Sequence, residues 1–193
     1  MYNNQQIMSA IPTDKSITRK TLNNYKQELK KYLLTSRFTN KTALENETYR
    51  SKHANIGCIY CTPEKVSQTI HLESVMFILE MNNDTNTIMG IGMVRNHAYS
   101  GLFHVYEEGN YNRYVYTGKH RISRTEFSQN EENIMKILDK MLFTGTHHMK
   151  RGQGLLSFPI ETLYACKQKQ FDLVNYISTM FKQRISPKNK SIV

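Results

Sequence analysis

Val75-Met76-Phe77-Ile78-Leu79-Glu80-Met81, then Asn82-Asn83-Asp84-Thr85-Asn86, then Ile88-Met89-Gly90-Ile91-Gly92-Met93-Val94 is the stretch that decides the fold. The first run is almost wholly apolar, as a central strand buried on both faces must be. The Asn/Asp-rich joint is a turn, and the run after it is short, β-branched and bounded by polar residues. The pattern predicts an antiparallel hairpin.

Working outward, Ile56–Cys61, Leu102–Tyr106 and Tyr111–Thr117 have the same strand composition, with Glu107-Glu108-Gly109-Asn110 as a second hairpin joint. Upstream, Leu22, Tyr25, Leu29, Tyr32 and Leu33 recur three and four apart, which predicts one amphipathic helix over about Ser16–Ser36. Lys20, Lys26, Lys30 and Lys31 occupy its other faces, and 39–55 is a polar connector. Downstream, Ser128 with Glu131 is a capping box that opens a helix carrying Ile134, Leu138, Met141 and Leu142 on one stripe. A last helix places Phe171, Val174, Ile177 and Phe181 together. The order predicts an α+β fold with an antiparallel sheet flanked by N- and C-terminal helices. Its divisions are a basic helical extension (1–55), a β-domain (56–160) and a C-terminal helical segment (161–193), all one compact domain.

The 193 residues suffice for a core without covalent staples. No apolar run approaches the roughly 20 residues of a membrane span, and the start lacks the pattern of a signal peptide. Three cysteines, an odd number, exclude a disulfide scaffold and point to a reducing, intracellular setting. Twenty-six Lys and Arg against 16 Asp and Glu leave +10. The charge is sided: residues 1–52 hold ten basic and four acidic groups (+6), and 53–110 hold two and six (−4). Residues 111–160 hold eight and four (+4), and 161–193 hold six and two (+4). Sided positive charge favours a polyanion partner, nucleic acid above all, although charge alone also describes a plain solvated surface.

Three local patterns bear on chemistry. Cys58-Ile-Tyr-Cys61 lies in a strand-like run, not at the helix start a redox pair requires, and zinc would need further ligands brought by the fold. Buried strand cysteines are the simpler reading. Lys150-Arg151-Gly152-Gln153-Gly154 is a basic glycine loop that can offer N–H groups and two cations to a phosphate. It is also similar to the acyl-CoA pyrophosphate loop of the GNAT acetyltransferases, R-x-x-G-x-G/A. Leu156 and Pro159 depart from that pattern, since proline removes a donor from the helix that should follow. Finally, Tyr111 to Arg121 interleaves aromatic and cationic residues. On a strand Tyr114 and Tyr116 share one face, and Tyr111 and Arg113 the other. An exposed face of this kind stacks bases beside positive charge, whereas a buried one merely packs.

Taken together, the 75–96 strand–turn–strand with its Gly90-Ile91-Gly92 step, the segment YNRYVYTGKHRI and the later HHMKRGQGLLSFP resemble the PUA-like superfamily, especially its EVE and YTH branches. Segments such as GNYNRYVYTGKHRI and HMKRGQG also resemble uncharacterised proteins of nucleocytoplasmic large DNA viruses. The likeness covers about residues 56–160. It implies a closed PUA-like sheet or barrel and a nucleic-acid-binding role without catalysis or cofactor. YTH proteins hold a methylated base in a tryptophan cage. This chain has no Trp, so that activity is not implied.

The expected contacts are Arg113, Lys119, His120, Arg121 and 150–154 (Lys150, Arg151, Gly152, Gln153, Gly154) on phosphates, with Tyr114 or Tyr116 stacking. The N-terminal helix and 113–124 with 150–151 are expected to share one basic face. Two alternatives stand beside this: a GNAT-like acetyltransferase using the glycine loop, and a virion or host-interaction protein whose terminal helices make a homodimer. The viral reading implies host nuclear or virion partners and a place in the host cytoplasm, viral factory, nucleus or virion.

Overall fold

The computed structural model describes residues 17–101, 103–146 and 148–186. Along the chain run α1 (Arg19–Glu28), β1 (Lys31–Phe38), α2 (Asn40–Ser51), β2 (Cys58–Thr62), β3 (Val75–Asn82) and β4 (Thr87–Arg95). They are followed by β5 (Tyr114–Gly118), β6 (His120–Ser123), α3 (Gln129–Phe143), β7 (Leu156–Ser157), α4 (Ile160–Gln168) and α5 (Leu173–Ile185). The fold is α+β. Five strands form one sheet in the order β6-β4-β3-β1-β7, and β2 pairs with β5 as a separate antiparallel ribbon.

The hairpin read from residues 75–96 is present. β3 and β4 pair antiparallel, with a bulge at Glu80/Met81. Every residue of β3 after Val75 is buried, because β4 and β1 flank it and both faces are covered. On one face Leu33, Phe77, Leu79, Met81 and Ile91 pack against α3 and α5 through Ile134, Leu138, Ile177 and Phe181. On the other, Tyr32, Leu34, Met76, Ile78 and Val94 meet the ribbon residues Cys58, Tyr60 and Tyr116. The molecule is thus three layers: helices, sheet, ribbon. Full burial of each such apolar side chain stabilises by about 1.5–3 kcal/mol.

Four expectations are corrected. The predicted N-terminal helix stops at Glu28, and Lys31–Phe38 is instead a strand running parallel to β3 across eight residue pairs. Tyr32, Leu33 and Leu34 feed both cores, and a short apolar run of that kind satisfies either period. The sheet is therefore mixed and open, not a closed antiparallel barrel. The polar connector holds α2, capped reciprocally by Thr39 and Thr42; threonine in place of Glu or Gln at the third helical position hides that box from the usual rule. Among the described residues no second hairpin forms around 107–110. Leu102 lies outside the described residues, and the Val105 and Tyr106 amides donate to Asn112 Oδ1 at 3.1 and 3.0 Å, folding the segment onto a 3₁₀ turn.

Other expectations hold. Ser128 and Glu131 cap α3 reciprocally. Val174, Ile177 and Phe181 are buried on α5, which spends its apolar face on its own sheet, whereas Phe171, expected on the same helix, is buried just before its Asp172 N-cap. Among the described residues no helix is long and apolar enough to cross a membrane.

The Gly90-Ile91-Gly92 step serves packing. A Cβ on Gly92 would stand 1.8 Å from the Tyr60 hydroxyl, and one on Gly90 would stand 2.8 Å from Arg121 Nη2. Bare backbone makes room for a buried cluster: Tyr60 donates to Glu80 Oε1 at 2.7 Å, and Arg121 Nη2 donates to Glu80 Oε2 at 2.6 Å.

Candidate nucleic-acid interface

β5 starts at a half-buried Tyr114, immediately preceded by an exposed Arg113. Arg113 Cζ lies 5.9 Å from the centre of the Tyr114 ring, and Lys65 Nζ lies 5.5 Å from it. Two residues on, Tyr116 faces the sheet at 1% exposure, and its hydroxyl accepts from the Val66 amide at 3.0 Å. Its ring is packing, not a stacking surface. Arg121 is likewise committed inward, since both Nε and Nη2 bond Glu80. Burial alone would lower its pKa, but the Glu80 carboxylate more than offsets that and raises it. Arg124 is held by Glu132 and Asp139. The basic segment 113–124 thus keeps two cations for partners, Arg113 and Lys119.

These two flank opposite ends of β5, about 20 Å apart if the chain between them is extended. Lys119 and His120 line an open cleft of about 510 Å³ with Glu73, Arg95, His97 and Tyr99. Arg113 and Tyr114 join the glycine loop instead. Thr62, paired with Tyr114 across the ribbon, touches the position a Gly154 Cβ would take, at 3.1 Å. Gly152 and Gly154 adopt φ of +105° and +65°, conformations that L side chains rarely enter. Arg37 Nη2 donates to the Gly154 carbonyl at 2.6 Å, and Asn83 Nδ2 donates to the Lys150 carbonyl at 3.0 Å. Lys150 Nζ bonds Asn86 Oδ1 at 2.8 Å, while Arg151, Gly152 and Gln153 are exposed.

One end of the molecule therefore gathers Arg37, Lys65, Arg113, Lys150 and Arg151. Among the described residues none of the five has a carboxylate within ion-pair distance. No family model, curated protein or solved structure matches the chain. The site must speak through its own geometry.

Sequence reasoning missed Arg37, Lys65 and Asn83. Arg37 reaches the loop only because β1 lies between β3 and β7, and no local pattern encodes that neighbourhood. Nor does the expected common face extend to Lys30 and Lys31: Lys31 sits six residues before Arg37 on one strand, about 20 Å away. Lys31 Nζ instead donates to Ser178 Oγ at 2.6 Å.

The loop does not head a helix. It runs into β7, and α4 begins only at Ile160, with Pro159 at its N-cap. The parallel pair β1/β3 is continuously in register, without the splay an acyl-CoA site needs. Cys58 and Cys61 belong to different cores on opposite sides of the ribbon. Burial pushes both thiols up to about 12. Among the described residues no three His, Cys, Asp or Glu side chains are grouped to hold a metal ion; His147 lies outside them.

Proposed function

We propose that this is a nucleic-acid-binding protein, acting without catalysis, whose contact surface is the end formed by Arg37, Lys65, Arg113, Tyr114 and 150–154. The carrying observation is Tyr114 beside two cations and a glycine loop, in a patch of five positive charges none of which, among the described residues, has a carboxylate within ion-pair distance. Cations beside an aromatic ring bind single strands by combining phosphate attraction with base stacking. Exposed amides at positive-φ glycines add neutral donors that suit phosphate oxygens. In this reading the sheet and ribbon are a variant of the PUA-like β-domain, a kinship resting on the 75–96 and 111–122 segments.

Fluorescence anisotropy with single- and double-stranded DNA and RNA tests the proposal. Binding should weaken steeply between about 50 and 200 mM salt, with a log–log slope near −3 for about four neutralised phosphates on a single strand. Absence of binding at the lower salt, or a flat slope, would refute it.

A further inference from the structure

Arg37 Nε and Asn83 Oδ1 are the two buried side-chain polar atoms without a hydrogen-bond partner among the described residues. They are not scattered. Arg37 holds one end of the glycine loop, through the Gly154 carbonyl, and Asn83 holds the other, through the Lys150 carbonyl. They come from neighbouring strand ends: the Asn83 amide donates to the Phe38 carbonyl at 2.8 Å.

Such atoms are costly to leave unmet, and a buried charge is ordinarily paired. Arg37 has only neutral acceptors: Thr35 Oγ1 at 3.2 Å, the Thr35 carbonyl at 3.5 Å and the Gly154 carbonyl. Burial lowers its pKa, an effect that Tyr111 offsets only in part, and no carboxylate contributes. A counter-charge from outside is what this arrangement lacks. The missing partner must also donate a hydrogen bond, because Asn83 Oδ1 can only accept. Reversing the Asn83 amide would set its oxygen against the Lys150 carbonyl, so the assignment follows from the network.

We infer that Arg37, Asn83 and the 150–154 loop form a site for a phosphomonoester. Both orphan atoms are closed to solvent in this structure, so the loop must shift before an anionic oxygen accepts from Arg37 and a P–O–H donates to Asn83 Oδ1. A monoester supplies both as its monoanion, the form that prevails below its second pKa near 6. A diester in the middle of a nucleic-acid strand has no such hydrogen. The backbone amides of Arg151, Gly152, Gln153 and Gly154 donate to no other described residue and supply further donors. Lys150 and Arg151 add charge. The source is either the terminal phosphate of a nucleic acid, which rests on the function proposed above, or a free phosphomonoester, which does not.

Isothermal titration of the full chain with inorganic phosphate and with sulfate tests the site. Phosphate should bind saturably and sulfate about tenfold more weakly or worse, since sulfate leaves the buried Asn83 acceptor unpaired. Arg37→Gln should abolish both. Asn83→Asp, which keeps the size and sets a carboxylate against the anion, should abolish phosphate binding and serves if Arg37→Gln fails to fold. No phosphate binding, equal phosphate and sulfate affinity, or binding unchanged in the folded variants would overturn the inference.

Oligonucleotides bearing a 5′-phosphate, a 3′-phosphate or neither then assign the source. Tighter binding of one phosphorylated end, lost in Asn83→Asp, identifies a nucleic-acid terminus. Equal binding of all three, with inorganic phosphate still bound, identifies the free monoester. If phosphate binds and no oligonucleotide does, the nucleic-acid function fails and the phosphate site stands.

Discussion

Arg121→Ala should destabilise the fold by about 3–5 kcal/mol, the cost of stranding one member of a buried ion pair. Glu80 is 4% exposed and sits on the central strand, so its carboxylate is poorly solvated once the guanidinium is removed. Arg121 supplies both Nε and Nη2 to its carboxylate, and the Tyr60 hydroxyl supplies the third donor. Desolvation, followed by the Glu80 charge, raises the Tyr60 pKa well above its usual value, so that phenol stays protonated and remains a donor. A carboxylate left with one neutral donor has no comparable compensation. Urea denaturation should show a lower midpoint at an unchanged slope. Lys119→Ala, two residues away and exposed, should stay within about 0.5 kcal/mol of the parent. Equal stability of the two variants would mean the Glu80 cluster is not a structural unit.

The second large effect falls on binding. Reversing Arg113 and Arg151 together to Glu should weaken nucleic-acid affinity by about 100-fold at low salt, because each change removes an attraction and adds a repulsion. Both side chains are exposed and free of carboxylate partners among the described residues, so the fold should be unaffected. Arg121 is unsuitable for such a test, since its reversal would set two carboxylates together in the core. Lys188→Glu with Lys190→Glu, in the tail outside the described residues, should change affinity far less. Equal losses from both pairs would mean attraction by net charge alone.

The legible parts of the fold were those written in local patterns. The β3–β4 hairpin, the capping box of α3 and the apolar stripe of α5 each need only a dozen neighbouring residues to declare themselves. β1 was illegible because its alternation is blurred by burial on both faces, and its partners lie far away in sequence. At the site, Tyr114 and the glycine loop were legible as chemistry. Tyr116 and Arg121 carried the same residue types in the same run, but burial and Glu80 decided their roles. Lys119 and His120 were legible as cations and still belong to the other end of β5. Arg37 and Asn83 gave no signal, because their importance is a contact made 117 and 67 residues away along the chain.

Hydrogen-exchange footprinting of the full chain, with and without a short single-stranded oligonucleotide, tests the location of the interface most directly. Protection should appear at 62–66, 111–114 and 150–155, with exchange unchanged at 93–99 and 117–120. Protection confined to 93–99 and 117–120, around the Lys119 cleft, would contradict the assignment of the glycine-loop end.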